Sequence, residues 1–311
     1  MSYKFHTADV FTDTQFGGNQ LAVIVDARGL TTEQMTAIAR EFNFSETVFV
    51  LPADDAAHTR RIRIFTPGSE LPFAGHPTVG TAFVLAATGE IELSGDETRI
   101  VLEEGVGPVP VLIRAKDGKP EFAQLTAARI PERSGQAYDV ATIAGVVSLT
   151  VDDIDTDGVN GIEAWSAGVP FLFVPLRTRS ALARARIKQD LWENSLRDSW
   201  APEVFVFVEA EESSVRGGVN EGNGVVRARM FAPTLGIAED PATGSAVASF
   251  GGYLAARSSV KDGTLRHMIH QGVEMGRPSL LELEVDVAGG SVTAVRVGGA
   301  SVLVASGVLH V

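Results

Sequence analysis

The 311-residue sequence contains no cysteine. Disulfides, thiolate metal ligands and a cysteine nucleophile are therefore excluded at once. Aromatic residues are few, 7% of the chain. Basic residues are outnumbered: 26 Lys and Arg against 39 Asp and Glu give a formal net charge of −13. A nucleic acid or an anionic membrane surface calls for a basic face, so neither is expected as a partner. The densest basic stretch, Arg177, Arg179, Arg184, Arg186 and Lys188, has no interleaved aromatics and reads as a solvated face. No run approaches the roughly 18 continuous apolar residues of a membrane span. The first eleven residues show no apolar signal core. The expectation is a soluble, cytoplasmic protein.

Several familiar chemistries are also missing. Gly105-Val106-Gly107-Pro108 reads as a turn, and no helix opens after it to make a dinucleotide loop. Gly217, Gly218, Gly222 and Gly224 lack the Lys-Ser/Thr of a phosphate loop. No G-x-S-x-G nucleophile elbow occurs. His267, His270 and Glu274 are close enough to suggest a metal, but Gly272 and Gly276 break the segment into strand and turn. No metal and no cofactor are expected.

What is present is organised around residues 61–85, RIRIFTPGSELPFAGHPTVGTAFVL. A strand enters a turn at Pro67-Gly68, a second turn follows at 72–75, and an apolar run leads to Gly89. Proline suits the first helical position and glycine the position just past the end, so a helix is predicted over 77–88 with His76 at its mouth. The grammar returns over 227–254, RARMFAPTLGIAEDPATGSAVASFGGYL. Asp240 precedes Pro241 as His76 precedes Pro77, Gly244 and Ala246 repeat the offsets of Gly80 and Ala82, and Phe231-Ala-Pro233 repeats Phe65-Thr-Pro67. Recurrence in this order indicates two copies of one structural unit. Both helices are apolar on all sides, the mark of a buried helix, and each N-terminus is a ready anion site.

At this length, with 45% hydrophobic residues, two domains with sizeable cores are expected. Strands are read at 4–10, 21–25, 47–51, 60–65 and 121–126, with a hairpin over 98–103 and 109–115. A helix is read over 31–42, opened by a Thr31/Gln34 capping box. The break falls at 127–136. Beyond it come a helical turn at 143–148, an acidic loop at 152–157 and a strand reached from Ser166. A helix over 181–190, a strand at 203–209, a polar Gly-rich loop at 211–224 and alternating strands over 279–311 complete the chain. The predicted domains are 1–127 with 300–311, and 128–299.

Three side chains stand out. Glu46 lies among Phe44, Val48, Phe49 and Val50. It is either a solvent-facing strand start or a carboxyl in apolar surroundings, whose pKa would rise to suit proton transfer. The matching segment of the second half is read as the neutral Ser166-Ala167-Gly168-Val169, which leaves one base and not two. His76 can be a turn residue or a site residue at a buried helix mouth. Asp240 is a preferred N-cap type, and a capping Asp at a cleft remains reachable.

FGGNQLAV (16–23), NFSETVFV (43–50), ELPFAGHPTVGTA (70–82) and DPATGSA (240–246) resemble, in order, the motifs of the PhzF family of phenazine-biosynthesis proteins. The resemblance spans most of the chain. It implies an α/β (α+β) fold of the diaminopimelate epimerase type: two pseudo-symmetric domains, each a mostly antiparallel sheet wrapped around a buried helix. It implies a cofactor-independent isomerase acting on a small unsaturated carboxylic acid held between the domains, and it favours a homodimer. By the same resemblance Glu46 is the general acid/base. His76 and Asp240 orient substrate and share the proton. Asn19, Ser45, Gly75, Gly244 and Ser245 contact substrate, the last two through amides and the Ser245 hydroxyl. An amino acid racemase using Glu46 and Asp240, and a non-catalytic binding protein, are the competing expectations.

Overall fold

The structure is a computed structural model that describes residues 2–157, 160–209 and 223–311. Most of the loop expected at 211–224 lies outside the described residues; its last two positions open a strand. The chain divides into two compact units. The first comprises Met1–Ala128, Arg277–Leu280 and Val297–Val311, the second Arg129–Gly276 and Leu281–Arg296.

The first unit begins with strands β1 (Ser2–Val10) and β2 (Asn19–Ile24), helix α1 (Thr32–Phe42), and strands β3 (Glu46–Leu51), β4 (Arg60–Phe65) and β5 (Glu70–Leu71). Helix α2 (Gly75–Ala87) and strands β6 (Glu97–Glu104), β7 (Gly107–Lys116) and β8 (Lys119–Thr126) follow. The second unit carries β9 (Glu132–Arg133), α3 (Val140–Val146), β10 (Glu163–Ser166), β11 (Pro170–Pro175), α4 (Arg179–Arg184) and α5 (Gln189–Ser195). It continues through β12 (Glu203–Glu209), β13 (Asn223–Ala232), β14 (Ile237–Asp240), α6 (Gly244–Ala255), β15 (Gly263–Gln271) and β16 (Ser279–Ala288). The last strands are β17 (Ser291–Gly299) and β18 (Ser301–His310), the latter antiparallel to β1. Among the described residues no helix is long and apolar enough to cross a membrane.

The internal repeat is real at the level of strand pairing. In the first unit β1 is antiparallel to β2, β2 parallel to β3, β3 antiparallel to β4, and β4 lies antiparallel to β5 and parallel to β6. In the second, β10, β11, β12, β13, β14 and β15 repeat that series, hand for hand. Each set holds one buried helix. Every residue of α2 from Gly75 to Ala86 is buried, and α6 is buried over nearly its whole length.

Close packing explains two of the glycines in these helices. A Cβ on Gly80 would come within 2.5 Å of Val10 Cγ2 and 2.6 Å of Leu21 Cδ2. One on Gly252 would meet Trp165 Cε3 at 2.5 Å. Around α6, Phe173, Phe205, Phe207, Phe250 and Tyr253 form a continuous aromatic cluster, with Phe207 and Phe250 edge to face at 4.7 Å between ring centres. Edge-to-face pairs add stability beyond their buried area.

Two sequence expectations change. The single helix expected over 181–190 is two short helices with a break at 185–188. At the break Arg229, 2% exposed, donates through Nη1 to the carbonyls of Leu182, Ala183 and Ala185 at 2.9, 3.2 and 2.9 Å, and Arg186 Nη1 donates to those of Ala183 and Ala185 at 3.0 and 2.6 Å. These bonds take up the carbonyls that a continuing helix would use. The connecting backbone turns instead to α3, with Lys188 N–H bonded to the Val146 carbonyl at 2.8 Å. Helix α2 also starts at Gly75 and not at Pro77, so His76 stands in its first turn. Pro77 is tolerated there because first-turn N–H groups have no partner inside the helix.

Candidate active site

The site in the first unit is built on three neighbouring pieces: the start of β2, the start of β3 and the first turn of α2. The 11–18 turn before β2 is held by Asp9 and Arg277. Asp9 Oδ2 accepts from the Phe16 amide at 2.7 Å, and Arg277 donates to Asp9 Oδ1 at 2.5 Å and to the Gly17 and Gly18 carbonyls at 2.6 and 2.8 Å. Gly18 has φ +60, and a Cβ there would lie 2.3 Å from the Val10 carbonyl. Only glycine fits so close an approach in that left-handed conformation. This turn delivers Asn19, 1% exposed, to the head of β2.

From Asn19 a polar chain runs inward. Its amide Nδ2 lies 3.2 Å from His76 Nδ1, and the Ser45 hydroxyl donates to its Oδ1 at 3.4 Å. An amide nitrogen only donates, so His76 Nδ1 accepts and the ring proton sits on Nε2. That nitrogen faces Glu46, with Oε2 at 3.5 Å. Both side chains are deeply buried, His76 at 4% and Glu46 at 9% exposure. The solvent-facing alternative for Glu46 is thus removed, since all of β3 up to its last residue is buried. Burial drives the His76 pKa down to about 3, a backbone hydrogen bond with Gln20 opposing it. The imidazole is therefore neutral at pH 7 and not a cation, and among the described residues its Nε2 makes no hydrogen bond.

Ala74 caps α2 in an extended conformation with no side-chain hydrogen bond, and the first turn carries no acidic residue. Gly75 is the first helical residue. Four of the expected residues, Asn19, Ser45, Glu46 and His76, are brought together here, with Gly75 directly beside His76.

Asp240, Gly244 and Ser245 lie in the second unit. Asp240 is not the N-cap of α6; Thr243 is. The Asp240 backbone is committed to β14, paired with Met230, and its carbonyl accepts from Gln271 Nε2 at 2.8 Å. Its carboxylate instead accepts from the Thr243 hydroxyl at 2.5 Å. Gly244 and Ser245 open α6, whose first turn again has no acid and no side-chain cap. The sequence parallel with His76 is thus incomplete: α2 begins two residues before Pro77, α6 three after Pro241.

The expectation that the second half offers no carboxylate matching Glu46 also fails. Ser166 ends β10, so 166–169 is the counterpart of the turn between β1 and β2, not of Glu46. Register identifies the true counterpart. Leu21 pairs with Glu46 and Thr47 with Phe65; Phe171 pairs with Glu203 and Val204 with Phe231. Glu203 therefore occupies the position of Glu46. It is 3% exposed, accepts from the Thr234 hydroxyl, and burial raises its pKa to about 8. The sequence carries part of this signal in the alignment of Phe65 with Phe231 and in the strand over 203–209.

His267 and His270 lie on strand β15, an odd number of residues apart and so on opposite faces. Among the described residues no group of His, Asp and Glu could hold a metal ion.

The sequence profile of the PhzC-PhzF family, phenazine biosynthesis-like proteins, matches residues 8–307. An isomerase of uncharacterized activity from Mesorhizobium japonicum is 41% identical over 97% of both chains. The trans-2,3-dihydro-3-hydroxyanthranilate isomerase of Pseudomonas aeruginosa is 32% identical over 98% of both. The crystal structure of a PhzF-family protein from Bacillus anthracis superposes with a TM-score of 0.84 at 25% identity, covering all of both chains.

Proposed function

The chain belongs to the PhzC-PhzF family and is an isomerase, and from that premise we propose that it shifts a double bond in a small unsaturated carboxylic acid by moving one proton, without a cofactor. The observation that carries this reading is the buried His76–Glu46 pair at 3.5 Å. The substrate class follows the relative from Pseudomonas aeruginosa, and a dihydro-hydroxyanthranilate is the first candidate.

In this reading the Glu46 carboxylate removes a proton from a carbon next to the conjugated system. The C–H electron pair moves into that system, and the new carboxylic acid returns the same proton at a carbon further along. Nothing is oxidised, and no group leaves. The neutral His76 donates Nε2–H toward Glu46 or toward a substrate oxygen that gains charge. Asn19 fixes the tautomer through Nδ1, and Ser45 fixes Asn19. The free amides at Gly75 bind substrate carboxylate, as helix N-termini do. In the second unit Gly244 and Ser245 open α6 with amides of the same kind, and Asp240 ends the strand before them.

The test is proton NMR in deuterated buffer with trans-2,3-dihydro-3-hydroxyanthranilate beside a panel of amino acids. A shifted double bond with deuterium at the reprotonated carbon supports the reading. Exchange with inversion at the α-carbon of an amino acid, with no double-bond shift, replaces it with an epimerase.

A further inference from the structure

A second buried acid lies behind the helix turn that carries His76. Glu104 ends β6, is 8% exposed, and its Oε2 is buried without a hydrogen-bond partner. Its Oε1 is 2.6 Å from the Thr78 hydroxyl, which is also 2.8 Å from the carbonyl of Ala74, the residue that caps α2. A hydroxyl has one proton and donates once. With two oxygens in contact, one of them has to bring a proton of its own. A peptide carbonyl has none, so the proton comes from Glu104. An ionised carboxylate here would also leave a bare charged oxygen buried, which is costly.

The second unit repeats the arrangement with a residue that cannot ionise. Arg61 pairs with Glu103 and Arg227 with His270, so the next residues, Glu104 and Gln271, are equivalent. Gln271 Nε2 donates to the Thr243 hydroxyl at 3.0 Å and to the Asp240 carbonyl at 2.8 Å, at the start of α6. A neutral amide donor does there what Glu104 does at the start of α2.

Among the described residues the charged groups facing this region hold other partners, except for the Nε of Arg61, which is buried without one. The groove beside Glu104 is lined by Arg61, Arg63 and Glu70. Arg61 binds Asp54 at 2.6 Å, and Arg63 grips both oxygens of Glu70 at 2.7 Å. Neighbouring Glu103 turns to His58 and to the amides of Asp54 and Asp55. From α2, Thr78 is the polar contact of Glu104.

We propose that Glu104 is an uncharged carboxylic acid that donates to Thr78, which in turn donates to Ala74, and that this relay sets the first turn of α2 and thereby the position of His76 against Glu46. Glu104 is a positioning residue, and only its link to catalysis rests on the function proposed above. Desolvation, which raises its pKa to about 8, acts in the same direction.

The test follows the His76 imidazole C–H resonances from pH 6 to 9.5, assigned by comparison with His76→Asn. In the wild type a step centred near pH 8 is expected as Glu104 ionises and the relay breaks. Glu104→Gln is expected to match the low-pH wild type and to show no step. The absence of a step in the wild type, or the same step in Glu104→Gln, overturns the proposal. If Glu104→Gln does not fold, the side-chain carboxyl carbon of Glu104 in labelled wild type decides: titration near pH 8 supports, titration in the ordinary carboxylate range overturns. Turnover is read in parallel. A wild type that shows the step but no double-bond shift refutes the proposed reaction and leaves the relay standing.

Discussion

His76 Nε2 stands 3.5 Å from Glu46 Oε2, two groups 30 residues apart in sequence, both sealed from solvent. The distance is at the outer limit of hydrogen bonding. A neutral imidazole at this spacing can support a proton transfer by Glu46 without neutralising it. That relationship requires three elements to arrive in register: the turn held by Asp9 and Arg277, the buried strand β3, and the first turn of α2.

Asn19 is the residue that fixes the histidine ring. Asn19→Ala removes the donor at Nδ1 and frees the tautomer. Turnover is expected to fall about 10²-fold, the usual scale of a small misplacement in a positioned site, while the melting temperature changes little. Full activity in Asn19→Ala would show that the ring is held by other contacts.

Glu203 makes stability depend on pH. Its folded pKa, about 8, lies above the model-compound value of 4.5. The unfolded chain then releases a proton that the folded protein keeps, so the contribution of Glu203 to stability is full below about pH 4.5 and is lost as pH rises toward 8. Glu203→Gln is expected to flatten that slope and to be the more stable form at pH 8 in denaturant titrations. An unchanged slope would mean that Glu203 is ionised in the fold.

Arg229 joins β13 to the broken helix and also grips Glu239 with two bonds, at 2.8 and 2.7 Å. Arg229→Met removes both bonds to the Glu239 carboxylate, while the Leu182, Ala183 and Ala185 carbonyls keep the Ala185 amide and the Arg186 guanidinium as donors. A loss of about 3–5 kcal/mol is expected in urea unfolding, the range for breaking a buried ion pair by removing one partner. A loss below about 1 kcal/mol would mean that water replaces the guanidinium there.

Much of the architecture is legible in the sequence because local signals agree with global ones. The Thr31/Gln34 capping box opens α1 as read, the 60–65 and 203–209 strands have the bounds expected, and two all-apolar helices are the two buried ones. The motif residues Asn19, Ser45, Glu46 and His76 converge because each heads an element whose register is fixed by buried neighbours. What escapes the sequence is non-local. The break between α4 and α5 is held by Arg229, more than 40 residues away, together with the local Arg186. The placement of Asp240 on a strand depends on its partners Met230 and Gln271. The equivalence of Glu203 with Glu46 needs strand register in addition to the Phe65/Phe231 alignment that the sequence offers. Arg277 reaches Asp9 and the 11–18 turn from the far end of the chain, and no spacing rule announces it.

The most direct measurement compares wild type and Glu46→Gln for wash-in of solvent deuterium into the unsaturated acid of the proposed function, with melting curves run on both. The amide keeps the size and burial of Glu46 but cannot accept the proton. The account expects the variant to fold as the wild type does and to lose exchange and double-bond shift together, by about 10²–10⁴-fold, the scale of a lost general base. A folded Glu46→Gln that exchanges deuterium at the wild-type rate would contradict it and place the base elsewhere.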